Sequence, residues 1–246
     1  MINMEVCANS VTSALAAEEG GAIRVELCAS LTEGGTTPSY AEIALAKKLL
    51  RIQVFPIIRP RGGDFLYSDL EFELMKEDIK ICKSLKCEGI VTGILTADGK
   101  IDKERCAELV KLAKPMAVAF HRAFDMVENM EEALEDLISL GVVRVLTSGG
   151  KASATDGTEK LEKLIIQAGE RITVMPGAGI HTDNIASLIA LTGAKEFHAS
   201  ARKNIASAMV YRNNALTMGS ESDEYNTTLT AADVVKKLLE LANSAE

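Results

Sequence analysis

Residues 116–150, MAVAFHRAFDMVENMEEALEDLISLGVVRVLTSGG, hold one complete strand–helix unit and the strand of the next. Met116–His121 and Val143–Thr147 are short apolar runs without strict alternation, as expected of strands covered on both faces. Between them a helix is predicted. Asn129 and Glu132 have the three-residue spacing of a capping box or a close relative, and Gly141 stands where a left-handed residue closes a helix. Each strand runs straight into a polar turn, His121-Arg-Ala-Phe-Asp125 and Thr147-Ser-Gly-Gly150.

The same unit recurs along the whole chain. Further strands are predicted near Met4–Cys7, Ile23–Cys28, Gln53–Ile58, Gly89–Thr92, Ile172–Met175 and Glu196–Ala199, which makes eight in all. Ser68 with Glu71 and Thr230 with Asp233 repeat the capping spacing, Gly169 and Gly193 repeat the stop, and Pro115 closes the segment that begins at Asp102. Strands alternating with helices imply an α/β fold with a parallel sheet. Eight units in 246 residues, against about 250 typical, point to a single TIM-type (β/α)₈ barrel spanning 1–246. An open doubly wound sheet uses the same units, but no G-x-G-x-x-G turn follows the first strand, and Met175-Pro-Gly-Ala-Gly179 holds only half of one. The stretch near 203–228, between the last strand and the last helix, reads as irregular.

With no Trp and 4% aromatics, the core must be aliphatic. A net charge of −8 and a pI near 5.1 offer no electrostatic footprint for nucleic acid or an anionic membrane. No run approaches the roughly 18 apolar residues of a membrane span, and Met1–Ser10 leads directly into a strand, so a cytoplasmic location is expected. Five cysteines without a framework suit a reducing compartment.

Barrels place chemistry where strands end and the following loops begin. The two-residue period puts Glu5, Cys7 and Asn9 on one face of the first strand, and Arg24, Glu26 and Cys28 on one face of the second. Glu26 and His121 are candidate acid–base groups. Arg59, Arg61, Asp64, Arg122, Asp125, His198 and Arg202 surround the expected mouth as an anion-binding set. Ser148 and Gly149, with Gly177 and Gly179, form turns whose backbone N–H groups can approach an oxyanion. Each has a plainer reading: Glu5 or Glu26 in a buried salt bridge with Arg24 or Arg59, the arginines stacked on Phe65 or Phe124, the glycines serving only tight turns. Cys7 and Cys28 fall at equivalent heights on neighbouring strands, where two thiolates suit a soft ion such as Cu(I). Cys82, Cys87 and Cys106 read as packing residues, and His181 as a loop histidine.

Taken together, Glu5-Val-Cys7, Arg24-Val-Glu-Leu-Cys28, Arg59-Pro-Arg-Gly-Gly-Asp64, His121-Arg-Ala-Phe-Asp125, Leu146-Thr-Ser-Gly-Gly150, Met175-Pro-Gly-Ala-Gly179 and His198-Ala-Ser-Ala-Arg202 resemble the CutC family of copper homeostasis proteins. The resemblance implies a TIM-like barrel, a cytosolic protein, self-association as a dimer or tetramer, and copper handling through Cu(I) at Cys7 and Cys28. No organic cofactor is predicted. The arginines, histidine and glycine turns leave a second reading open, an enzyme that acts by acid–base chemistry on a small anionic metabolite, phosphorylated or not. A scaffold acting only by association is a third.

Overall fold

In a computed structural model, the structure describes residues 1–213, 215, 216, 218 and 224–244. Eight parallel strands appear where apolar runs were expected: β1 (Asn3–Ala8), β2 (Arg24–Leu27), β3 (Gln53–Pro56), β4 (Gly89–Thr92), β5 (Ala117–Phe120), β6 (Arg144–Thr147), β7 (Thr173–Pro176) and β8 (Glu196–Ala199). Each is followed by a helix: α1 (Val11–Glu19), α2 (Tyr40–Leu49), α3 (Asp69–Ser84), α4 (Lys103–Ala113), α5 (Met130–Leu140), α6 (Thr158–Ala168), α7 (Ile185–Thr192) and α8 (Ala232–Asn243). Hydrogen-bonded ladders run in the orders β3-β2-β1-β8 and β4-β5-β6-β7. A parallel bridge between Ile57 and Val91 joins the two sheets, with the Ile58 N–H donating to the Val91 carbonyl at 2.7 Å. At the other seam β7 packs beside β8.

The strand period sorts side chains into two layers. Met4, Val6, Val25 and Leu27 join the large apolar cluster, while Cys28, Phe55, Ile57, Val91 and Ala119 form a smaller second one against which Cys7 and Leu31 pack. At the lower end of the strands Arg24 pairs with Glu5 and, at 2.6 Å, with Glu196, which also binds Arg144 at 2.7 Å. Buried charges persist only when paired in this way. The Arg24 partner of Glu5 is therefore structural, and it anchors β1 and β2 below the cavity described next.

Helix starts follow their caps. Ser68 and Glu71 form the anticipated capping box, and the Asn129 side chain accepts from the Glu132 N–H at 3.2 Å. Ser39 and Glu42 make a second box that the sequence reading did not single out. Thr230 is not the cap of α8: its hydroxyl donates to the Ser200 carbonyl at 3.0 Å, Ala231 holds the cap position, and Asp233 pairs with Lys203. The stretch read as irregular carries strands at its two ends, β9 (Arg202–Ala206) and β10 (Asn226–Thr230), paired antiparallel. Every residue of β9 is exposed, so no buried face writes an apolar period into its sequence. Residues 214, 217 and 219–223 of that stretch lie outside the described residues.

Candidate functional site at the barrel mouth

At the carboxyl ends of the strands a cavity of about 410 Å³ opens, lined among others by Cys7, Glu26, Arg59, His121, His198 and Arg202. Residues from β1, β2, β8 and the loops after β3, β5 and β8 meet there, although they span almost two hundred positions of sequence.

One wall is built by three adjacent strands. Strand register sets Cys7 opposite Glu26 and Glu5 opposite both Arg24 and His198. Cys28 is thus one step above the level of Cys7, not at equal height, yet their sulfurs come within 3.8 Å of each other and remain unbridged. His198 Nδ1 lies 2.8 Å from Glu5 Oε1, and its Nε2 lies 3.6 Å from Glu26 Oε2. Atoms from Cys7, Glu26 and His198 all fall within 4.8 Å of one another.

Electrostatics polarise this wall. A hydrogen bond from Cys28 lowers the Cys7 thiol well below the ordinary range against the cost of burial, helped by the positive charges of His198 and Arg202. Sharing that proton, together with burial, pushes Cys28 up. Burial opposes charge on His198, but contacts with Cys7, Glu5 and Glu26 outweigh it and hold the imidazolium well above its usual range. Burial, and then the charge on Cys7, push Glu26 up to about 8. Glu5 goes the other way, to about 2, because Arg24 overcomes its burial. These shifts favour charge on Cys7 and His198 and disfavour it on Cys28 and Glu26.

A second wall faces it. Arg59 is buried, and its terminal nitrogens donate to the carbonyls of Glu33, Gly35 and Gly63 at 2.7, 2.8 and 2.9 Å. Its guanidinium sits 5.1 Å from the Phe65 ring centre, the stacking anticipated from sequence. His121 is also buried, 5.0 Å from the same ring. Its Nδ1 accepts from the Ala123 N–H at 3.2 Å, which leaves the ring proton on Nε2. Burial, reinforced by Arg59, pulls His121 down to about 3, so it is neutral under ordinary conditions. Gly93 makes room for it: a Cβ there would lie 2.6 Å from the imidazole. The close approach was invisible in sequence, where Gly93 is only a glycine after a strand.

Other expected site residues are committed elsewhere. Asp125 Oδ1 accepts from Thr147 Oγ1 at 2.5 Å and from the Ser148 and Gly150 N–H groups at 3.0 Å. Its Oδ2 receives Ser148 Oγ at 3.1 Å and Arg122 Nε at 2.7 Å. The Gly149 N–H donates to Thr147 Oγ1. The turn after β6 thus cradles an anion supplied by the chain itself. Gly177 gives its N–H to the Thr147 carbonyl, and a Cβ there would meet Leu146 at 2.4 Å, so it serves close packing. Gly179 does line the cavity. Arg61 and Asp64 pair with each other, and Arg61 with Glu71 of α3 at 2.6 Å; neither residue lines the cavity. They pin the loop after β3 to its helix.

Eight parallel strands, each followed by a helix, with a polar cavity at their carboxyl ends, define a TIM-barrel protein, here with paired thiols, a histidine and a carboxyl in its mouth. The chain belongs to the CutC family, whose sequence pattern matches residues 2–203. A family protein CutC from Chromobacterium violaceum is 54% identical over 243 residues, 98% of each chain. A human protein named copper homeostasis protein cutC homolog is 50% identical over 233 residues, covering 95% of this chain and 85% of its own. The crystal structure of a CutC protein from Streptococcus agalactiae superposes with a TM-score of 0.78 at 35% identity, over 81% of this chain and 99% of that one.

Proposed function

We propose that the protein takes up Cu(I) as cargo at the thiol wall, with Cys7 and Cys28 as its sulfur ligands and His198 beside them. The observation that carries this reading is the pair of free sulfurs 3.8 Å apart, one of them lining the cavity. Thiolates are soft donors that favour Cu(I) over harder ions. The donor set fits in a further respect. Glu5 holds one nitrogen of His198 at 2.8 Å and turns the other toward Cys7 and Glu26, the arrangement by which outer carboxylates orient metal-binding histidines. Relatives that carry a copper homeostasis name support the same reading.

Free thiols at this spacing persist in a reducing compartment, so a cytoplasmic location belongs to the proposal. So does self-association as a dimer or tetramer, for which the exposed Met209, Val210 and Tyr211 beyond β9 offer apolar surface. No helix among the described residues is long and apolar enough to cross a membrane.

Titration of the reduced protein with Cu(I) against a competing chelator tests the site. Losing an outer partner alone typically costs a metal site roughly 10–100-fold in affinity. The Cys7→Ser, Cys28→Ser double variant is expected to lose more than that. Equal affinity in the double variant would remove both sulfurs from the role.

A further inference from the structure

Among the described residues, four buried side-chain polar atoms lack a hydrogen-bond partner: Glu26 Oε1, Arg59 Nε, Tyr67 Oη and His121 Nε2. Three of them belong to residues that line the same cavity. Folded proteins rarely leave such atoms unpaired, since each forfeits its hydration without return. Their concentration around one space points to a partner that the chain does not supply.

The chemistry of that partner follows from the donors. Arg59 is 4% exposed and meets three neutral carbonyls but no carboxylate, so a buried cation stands without a counter-charge. His121, also 4% exposed, offers an Nε2–H because its Nδ1 is spent on the Ala123 N–H. Phe65 packs against both the guanidinium and the imidazole, which places them on one wall. Arg202 adds an exposed guanidinium at the rim, whereas Arg122 is already engaged by Asp125. An unpaired imidazole N–H beside a buried guanidinium that meets no carboxylate calls for an anionic oxygen. The space is larger than a bare ion needs. About 410 Å³ lies within the range of small-molecule pockets, and Leu31, Ile57 and Ile180 give it apolar lining for a carbon skeleton.

We propose that the wall formed by Arg59, Phe65 and His121 binds the anionic oxygen of a small organic carboxylate or phosphate ester in the cavity it shares with the thiols. Glu26, across the cavity, supplies a polar contact to the body of the same ligand. Its anion-binding donors are distinct from the sulfur pair and do not depend on copper.

Calorimetry and thermal shift at constant ionic strength test it, with pyruvate and glycolate as carboxylates, glycerol 3-phosphate as the phosphate ester, and glycerol as the uncharged control. Either anion class is expected to stabilise the protein beyond glycerol, and whichever does so identifies the anionic group. His121→Asn retains a side-chain oxygen for the Ala123 N–H but removes the Nε2 donor, and Arg59→Lys retains a cation but removes Nε. Each is expected to weaken the anion about tenfold, the worth of one charge-assisted hydrogen bond. The Cys7→Ser, Cys28→Ser variant is expected to bind it as the wild type does, which separates this test from the copper titration. Absence of stabilisation by all three anions would overturn the proposal, and so would undiminished binding in both His121→Asn and Arg59→Lys.

Discussion

Two parts of the same rim carry the same kinds of residue and use them in opposite ways. At the corner between β5 and β6, an arginine, a serine and the Gly150 N–H converge on Asp125, and the chain satisfies its own donors. On the wall formed by Arg59 and His121, a buried arginine meets no carboxylate and the His121 Nε2 stays unpaired beside the cavity. Residue type does not distinguish a structural corner from a binding wall. What distinguishes them is whether an internal acceptor lies within about 3 Å of the donors.

The comparison is open to attack, most forcefully at Asp125. Its side chain is 6% exposed, and Asp125→Asn would leave several N–H and O–H donors facing an amide instead of a carboxylate. Leaving these buried donors without their carboxylate is expected to cost up to about 3 kcal/mol, measured by chemical denaturation. Anion binding at the Arg59 wall should survive in whatever fraction folds. A loss under about 1 kcal/mol would mean that the corner is not held by its own carboxylate.

His121→Asn is expected to show the reverse pattern, little change at neutral pH and a flatter response to acid. His121 titrates about 3 in the folded protein against 6.5 ordinarily. Below 6.5 the unfolded chain takes up a proton that the folded protein refuses, so stability is complete above that pH and falls as pH drops toward 3. Between pH 7 and 5 the wild type should lose about 2 kcal/mol more than the variant. Equal slopes in denaturation series at the two pH values would show that His121 is not buried neutral.

Arg61→Ala should have the smallest effect. Its side chain is 38% exposed and its ion pairs with Asp64 and Glu71 lie at the surface, so the expected loss is below about 1 kcal/mol, with anion affinity unchanged. A marked fall in anion affinity would place Arg61 on the binding wall after all.

Much of this was legible in the sequence. Short apolar runs bounded by capping pairs and helix-stopping glycines located all eight parallel strands, and the two-residue period put Cys7, Glu26 and Cys28 on inward faces. The barrel class follows from those patterns, and the family from the resemblance of the strand-end motifs. Less was legible in the site. Arg59 and Arg61 are two residues apart in one motif, yet one is buried on the cavity wall and the other is spent on α3. Thr147-Ser-Gly-Gly150 read as a cradle for a ligand, and its occupant proved to be Asp125. The β9–β10 ribbon left no apolar period because both faces of β9 are exposed.

By itself, then, the order of residues determined the eight units, their strand faces and the set of polar groups brought to one rim. Periodicity is written within a few neighbours, so it survives without the fold. Only the tertiary structure decided which of those groups are already paired and which still await a partner. A hydrogen bond is settled by tenths of an ångström between residues far apart in the chain, such as Asp125 and Ser148 or Glu5 and His198, and no local pattern records that distance.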